Sequence, residues 1–190
     1  MTKYRLAMFL ALAVGAQIAS GPASAADVKR FIEPCGSGKL CPWFQADVPA
    51  PAGFKVDPGF SRGNRLLAFF PDRAKLGPDD PLIYVRASYN DDNRSLDTQA
   101  STSNARWKEM VKDAKVERLP DVERTDGKGK WQVFRYSNPS RPRQAHEMLA
   151  FGEHVETSGQ KFFYMVTISA ANEKAVTGAL PAWTELLGKL

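Results

Sequence analysis

One stretch constrains the fold more than any other: Lys161-Phe162-Phe163-Tyr164-Met165-Val166-Thr167-Ile168. Nearly every position is a β-former, and apolar side chains fill both alternations. Such a strand needs cover on both faces, which predicts a central place in a sheet. A partner stands just before it. Residues 144–156 form a second β-rich stretch, and Thr157-Ser158-Gly159-Gln160 supplies the turn of a long hairpin.

The rest of the chain completes the sheet and its cover. Residues 54–56 read as a short strand ended by Pro58-Gly59, and residues 66–70 as a buried strand stopped by Pro71-Asp72. Residues 82–89 place Ile83, Val85 and Ala87 on one face and the wetter Tyr84, Arg86 and Ser88 on the other. Residues 131–136 are a further strand. Between them, Trp107, Met110, Val111 and Ala114 fall on one helical stripe, predicting a helix over 98–115 capped by Asp97, Thr98 or Ser101. After Asn172-Glu173, Val176, Leu180, Trp183, Leu186 and Leu187 repeat at helical spacing, with Pro181 as a kink or a restart. The expected domain, residues 54–190, is α+β: an antiparallel sheet of about six strands flanked by helices. Residues 26–53, interrupted by Pro34, Pro42, Pro49 and Pro51, read as an irregular N-terminal arm that Trp43 and Phe44 pack onto the body.

The first 25 residues read as an export signal. Lys3 and Arg5 precede an apolar run from Leu6 to Ala19, and Ala23-Ser24-Ala25 places cleavage after Ala25. That run is shorter than the roughly 20 residues needed to span a bilayer, and no second long apolar segment follows. An oxidising destination makes Cys35 and Cys41, the only two cysteines, a disulfide by default. Gly36 and Gly38 let the short loop close, and the seven-residue ring contributes about 2.4 kcal/mol in the chain-entropy treatment. Cleavage removes Lys3 and Arg5 from 26 basic residues and none of the 21 acidic ones. The mild positive excess that remains lacks the dense basic stripe of a nucleic-acid binder.

Reactive motifs are sparse. His146-Glu147 and Glu153-His154 invite a metal reading. Eight residues of strand, however, set the two histidines about 26 Å apart at ~3.3 Å per residue, too far for one ion. Both read as surface or edge histidines. Gly-x-Ser-x-Gly, P-loop and dinucleotide fingerprints are missing, and Asp91-Asp92-Asn93 lacks the pattern of a calcium loop. No metal and no cofactor is expected. One cluster stands out: Arg135, Arg141 and Arg143, with Tyr136 beside them, as a candidate contact for an anion or a partner.

His146-Glu147-Met148-Leu149, Ser158-Gly159-Gln160-Lys161, Phe163-Tyr164 and Ala170-Ala171-Asn172-Glu173 follow one another as hairpin, turn, aromatic strand and Ala/Asn junction before a closing helix. In this order they resemble the C-terminal half of the PsbP-like fold. The preceding β-β-β-α order extends the likeness over 54–190; the Cys loop and the proline-rich arm lie outside that pattern. The resemblance implies an α/β/α layering and an accessory or binding role, and it transfers no catalytic residue. The expectation is an exported, non-enzymatic accessory or protein-binding module of the bacterial cell envelope, periplasmic or secreted, with another envelope protein as partner. The alternative is a carrier or sensor for a small anionic or apolar ligand held between sheet and helix. A hydrolase ranks third.

Overall fold

The computed structural model describes residues 27–36 and 38–190. The export signal expected over 1–25, with cleavage after Ala25, lies outside the described residues, as does Ser37 of the Cys loop. The described chain forms β1 (Val28–Pro34), β2 (Leu40–Ala46), β3 (Phe54–Val56), α1 (Pro58–Asn64), β4 (Leu67–Pro71), β5 (Leu82–Tyr89) and α2 (Leu96–Met110). It continues with β6 (Lys115–Arg118), β7 (Val122–Glu123), β8 (Lys130–Ser137), β9 (His146–Val155), β10 (Lys161–Ala170) and α3 (Glu173–Lys189). The ten strands form an antiparallel sheet whose main path runs β1-β2-β5-β10-β9-β8-β6. β4 also pairs with β5 and carries β3, and β7 pairs with β8. The class is α+β.

β10 takes the central place its composition demands, between β5 and β9. Phe162, Tyr164, Val166 and Ile168 face α3, where Val176, Ala179, Trp183, Leu186 and Leu187 complete a continuous core. Trp183 Nε1 donates to the Val166 carbonyl at 3.1 Å, which fixes the helix on the strand. On the opposite face Phe134, Tyr136, Leu149 and Phe151 meet Leu96, Ala100 and Trp107 of α2. Each strand residue therefore belongs to one of two cores by parity. β9 runs unbroken through Gly152 because the Trp131 ring lies there: a Cβ at 152 would sit 2.5 Å from a ring carbon.

Ten strands stand where about six were expected, and the additions are β1, β2, β6 and β7. Residues 28–46 are not an irregular arm. They form a hairpin in full register from Val28↔Ala46 to Pro34↔Leu40, joined to the body where Phe44 pairs with Ala87. Pro34 ends the edge strand β1, and Pro42 lies in β2 before its pairing with β5 at Phe44↔Ala87, places where a missing N–H is tolerated. Cys35 and Cys41 are bridged at the hairpin tip, Cα–Cα 5.6 Å apart, and Gly36 and Gly38 turn the loop at positive φ (98° and 73°). Trp43 is buried and stacks on Phe31 within the hairpin, while Phe44 packs edge-on to Phe162 and ties the segment to the body.

The helices also differ in detail. α2 runs 96–110 and is capped by Ser95, whose side chain accepts from Thr98 N. Its inward residues are Leu96, Ala100 and Trp107, while Met110 is exposed and Val111 is buried just beyond the helix end. α3 is one continuous helix with Pro181 inside it, on its exposed side. α1 begins at Asp57-Pro58, with the Asp57 carboxylate accepting from Phe60 N at 2.8 Å.

Candidate functional site

The face of the sheet under α2 is only partly covered. Between α2 and strands β5, β10 and β9 lies a cleft of about 550 Å³. Leu149, Phe151, Phe163 and Met165 make an apolar floor, and Tyr84, Trp107 and Tyr136 line one end. α2 contributes Gln99, Ser103 and Arg106 to the lining, and β5 contributes Arg86. The cleft exists because β5 alternates: its apolar members feed the α3 core, and its wetter members are left for this side.

Glu147 occupies the inner end. It sits on β9 at the parity of Leu149 and Phe151 and is only 3% exposed. Its Oε2 accepts from Asn138 Nδ2 at 3.0 Å, and its Oε1 has no hydrogen-bond partner. Burial pushes its pKa up to about 7; the Ser169 hydroxyl, the Asn138 amide and the Arg141 charge pull the other way. Ser169 is its cross-strand partner in register, yet Ser169 Oγ does not meet Oε1 in hydrogen-bond geometry, and the buried Thr167 Oγ1 is likewise unpartnered. Burial also raises the pKa of Tyr84 and of Tyr136, with the Glu147 charge adding to each. Both phenols therefore stay neutral.

A chain of side-chain bonds ties this carboxyl to the helix. Trp107 Nε1 donates to Asn138 Oδ1 at 2.9 Å, and the fully buried Asn138 spends one N–H on Gln144 O and the other on Glu147. Tyr136 OH donates to Asn104 of α2, and its ring lies 5.9 Å from that of Trp107. The Arg141 guanidinium stacks on Trp107 at 5.0 Å.

Of the four residues singled out from the sequence, the structure brings two together. Tyr136 and Arg141 meet at Trp107. Arg135, the next residue along the strand from Tyr136, projects from the opposite face, where it reaches Glu117 at 3.7 Å. Arg143 is exposed in the short 3-10 turn Pro142–Gln144. The histidines are not surface or edge residues. β9 lies between β8 and β10, His154 is 5% exposed and stacks on Tyr164, and His146 is half-buried. Ser169 faces away from His146, because its neighbour in register is Glu147. Among the described residues no group of three or more His, Cys, Asp or Glu side chains could hold a metal ion. Asp92 is committed to Arg94 at 2.8 Å.

From sequence, Glu147 enters only beside His146, in the metal reading and the hairpin motif, although it is an ionisable residue at the parity that β9 otherwise gives to the core. Compared with known protein families, curated proteins and solved structures, the chain matches none. Among the described residues no helix is long and apolar enough to cross a membrane.

Proposed function

We propose that the protein is an exported carrier or sensor that binds a small molecule in the cleft between α2 and the sheet. The observation that carries this reading is the apolar-floored cleft itself, whose lining includes the buried Glu147 with an Oε1 that has no hydrogen-bond partner. A buried polar atom without a partner costs about 1–3 kcal/mol, and a site built for a ligand is one place where that cost is tolerated. The cavity's volume also falls within the range typical of ligand pockets. The disulfide at Cys35–Cys41 and the signal-like residues 1–25 support a periplasmic or secreted setting. The helix on each face of the sheet supports the PsbP-like layering that the sequence suggests.

The test is a thermal-shift titration of the purified protein with decanol, decanoate and decyltrimethylammonium. At a hundredfold excess over Kd, one bound ligand adds about 2.7 kcal/mol and raises Tm by roughly 5–10 °C for a domain of this size. Ser103→Trp, which fills the cleft from α2, removes the response. The reading fails if none of the three compounds shifts wild-type Tm, or if the shift survives Ser103→Trp.

A second reading has its own observation. The tip of the β1–β2 hairpin exposes Ile32 and Leu40 at 68% and 67%, so an accessory role toward another envelope protein would use this end. Ile32→Ser with Leu40→Ser would abolish co-purification of that partner and leave the ligand response intact.

A further inference from the structure

We infer that the ligand is a free monoanionic amphiphile, its apolar body on the Leu149–Phe151–Met165 floor and its anionic head between Arg86 and Arg106. The inference rests on the ligand-binding reading above and adds the ligand's chemistry. Arg86 of β5 and Arg106 of α2 both line the cleft and both are exposed, so each wall contributes one arginine. Neither has an ion-pair partner among the described residues, a condition shared with Arg65, Arg141 and Arg143, whereas Arg30, Arg62, Arg73, Arg94, Arg118, Arg124 and Arg135 are paired. Unpaired guanidiniums are the usual receptors for carboxylate and phosphate groups, because their planar forks donate to two oxygens at once.

The charge balance of the cavity points the same way. Glu147 is its only lining carboxyl, and burial favours its neutral form. Arg141 adds a third positive charge behind Trp107. A cationic head would meet two unpaired arginines lining the cleft. A neutral amphiphile would leave both of them unused. A protonated Glu147 Oε1–H, by contrast, has a donor available to a polar group that reaches the inner end.

The experiment compares Kd values for the three ten-carbon compounds on wild-type protein and on Arg86→Gln/Arg106→Gln. Both arginines are exposed, and the decanol affinity of the double variant serves as its folding control. Decanoate is expected to bind about tenfold more tightly than decanol, the worth of two partly exposed charge pairs. The double variant loses that tenfold for decanoate and keeps its decanol affinity within about twofold. Added salt weakens decanoate binding only. Equal affinities for decanoate and decanol, tighter binding of the cation, or an unchanged decanoate Kd in the double variant overturns the inference and leaves the ligand-binding reading standing. Absence of binding by all three compounds overturns both. A parallel sedimentation assay with phosphatidylglycerol vesicles separates the sources of the head group. Capture by vesicles without binding of monomeric decanoate assigns the arginines to a membrane surface and overturns the free-ligand inference.

Discussion

Replacing Glu147 by Gln should make the protein more stable at alkaline pH and remove part of its pH dependence. In the unfolded chain this carboxyl ionises at its ordinary 4.5, whereas in the fold it keeps its proton up to about 7. Between those values the native state binds more protons than the unfolded state, so stability falls as pH rises through that window. A gap of about 2.5 pH units at ~1.36 kcal/mol each amounts to about 3 kcal/mol, absent below the lower value and fully expressed above the upper. Glu147→Gln keeps the shape, an oxygen for Asn138 and no charge at any pH. Urea unfolding followed by tryptophan fluorescence at pH 5 and pH 8 reads the effect. Wild type and variant should be similar at pH 5, and at pH 8 the variant should be about 3 kcal/mol more stable. Groups common to both proteins cancel in that comparison. Parallel pH dependences would refute the reasoning, since they would mean that Glu147 ionises in the fold as it does in water.

Four further outcomes follow from the same geometry. Decanoate affinity should fall as pH climbs through about 7, where Glu147 ionises; the neighbouring Tyr84 and Tyr136 stay neutral, so Glu147→Gln should flatten the profile in a calorimetric titration. Gly152→Ala drives a methyl into the Trp131 ring at 2.5 Å and should cost about 1–3 kcal/mol in urea denaturation. Cys35→Ser with Cys41→Ser frees the hairpin tip and should lower stability by about 2 kcal/mol, with the ligand-induced Tm shift retained. Arg124 holds the Asp126 carboxyl down to about 2 through hydrogen bonds and charge; that stabilisation is present above the ordinary 3.8 and is lost as pH falls toward 2, so Arg124→Gln should flatten the acid limb of a pH-unfolding curve.

The readable parts of the fold were those with periodic burial. β10 announces itself through apolar residues at both parities, and α3 through its stripe from Val176 to Leu187. The hairpin β1–β2 did not, because prolines in an edge strand look the same as prolines in a loop until the pairing is known. β6 and β7, four and two residues long, are too short to establish any period. The α2 stripe reads too far toward the C-terminus, since Val111 is buried after the helix has ended and so imitates a helical position. Asp57-Pro58 carried a helix start that reads equally well as a strand stop. At the site, the aromatic and basic neighbours Tyr136 and Arg141 were legible as types. Their meeting at Trp107 was not, because it depends on α2 crossing the strand end. Glu147 was visible only as a charge at a core parity, and its significance comes from Asn138 and the cleft above it.

Asn138 has one more consequence. Its amide joins three separate parts of the chain: the Trp107 indole on α2, the Glu147 carboxyl on β9 and the Gln144 carbonyl of the 3-10 turn. Trp107 also lines the cleft, so a ligand seated there would change the surroundings of its indole. The emission of Trp107, one of four tryptophans in the chain, is therefore expected to change colour on occupancy, read as the difference between wild type and Trp107→Phe.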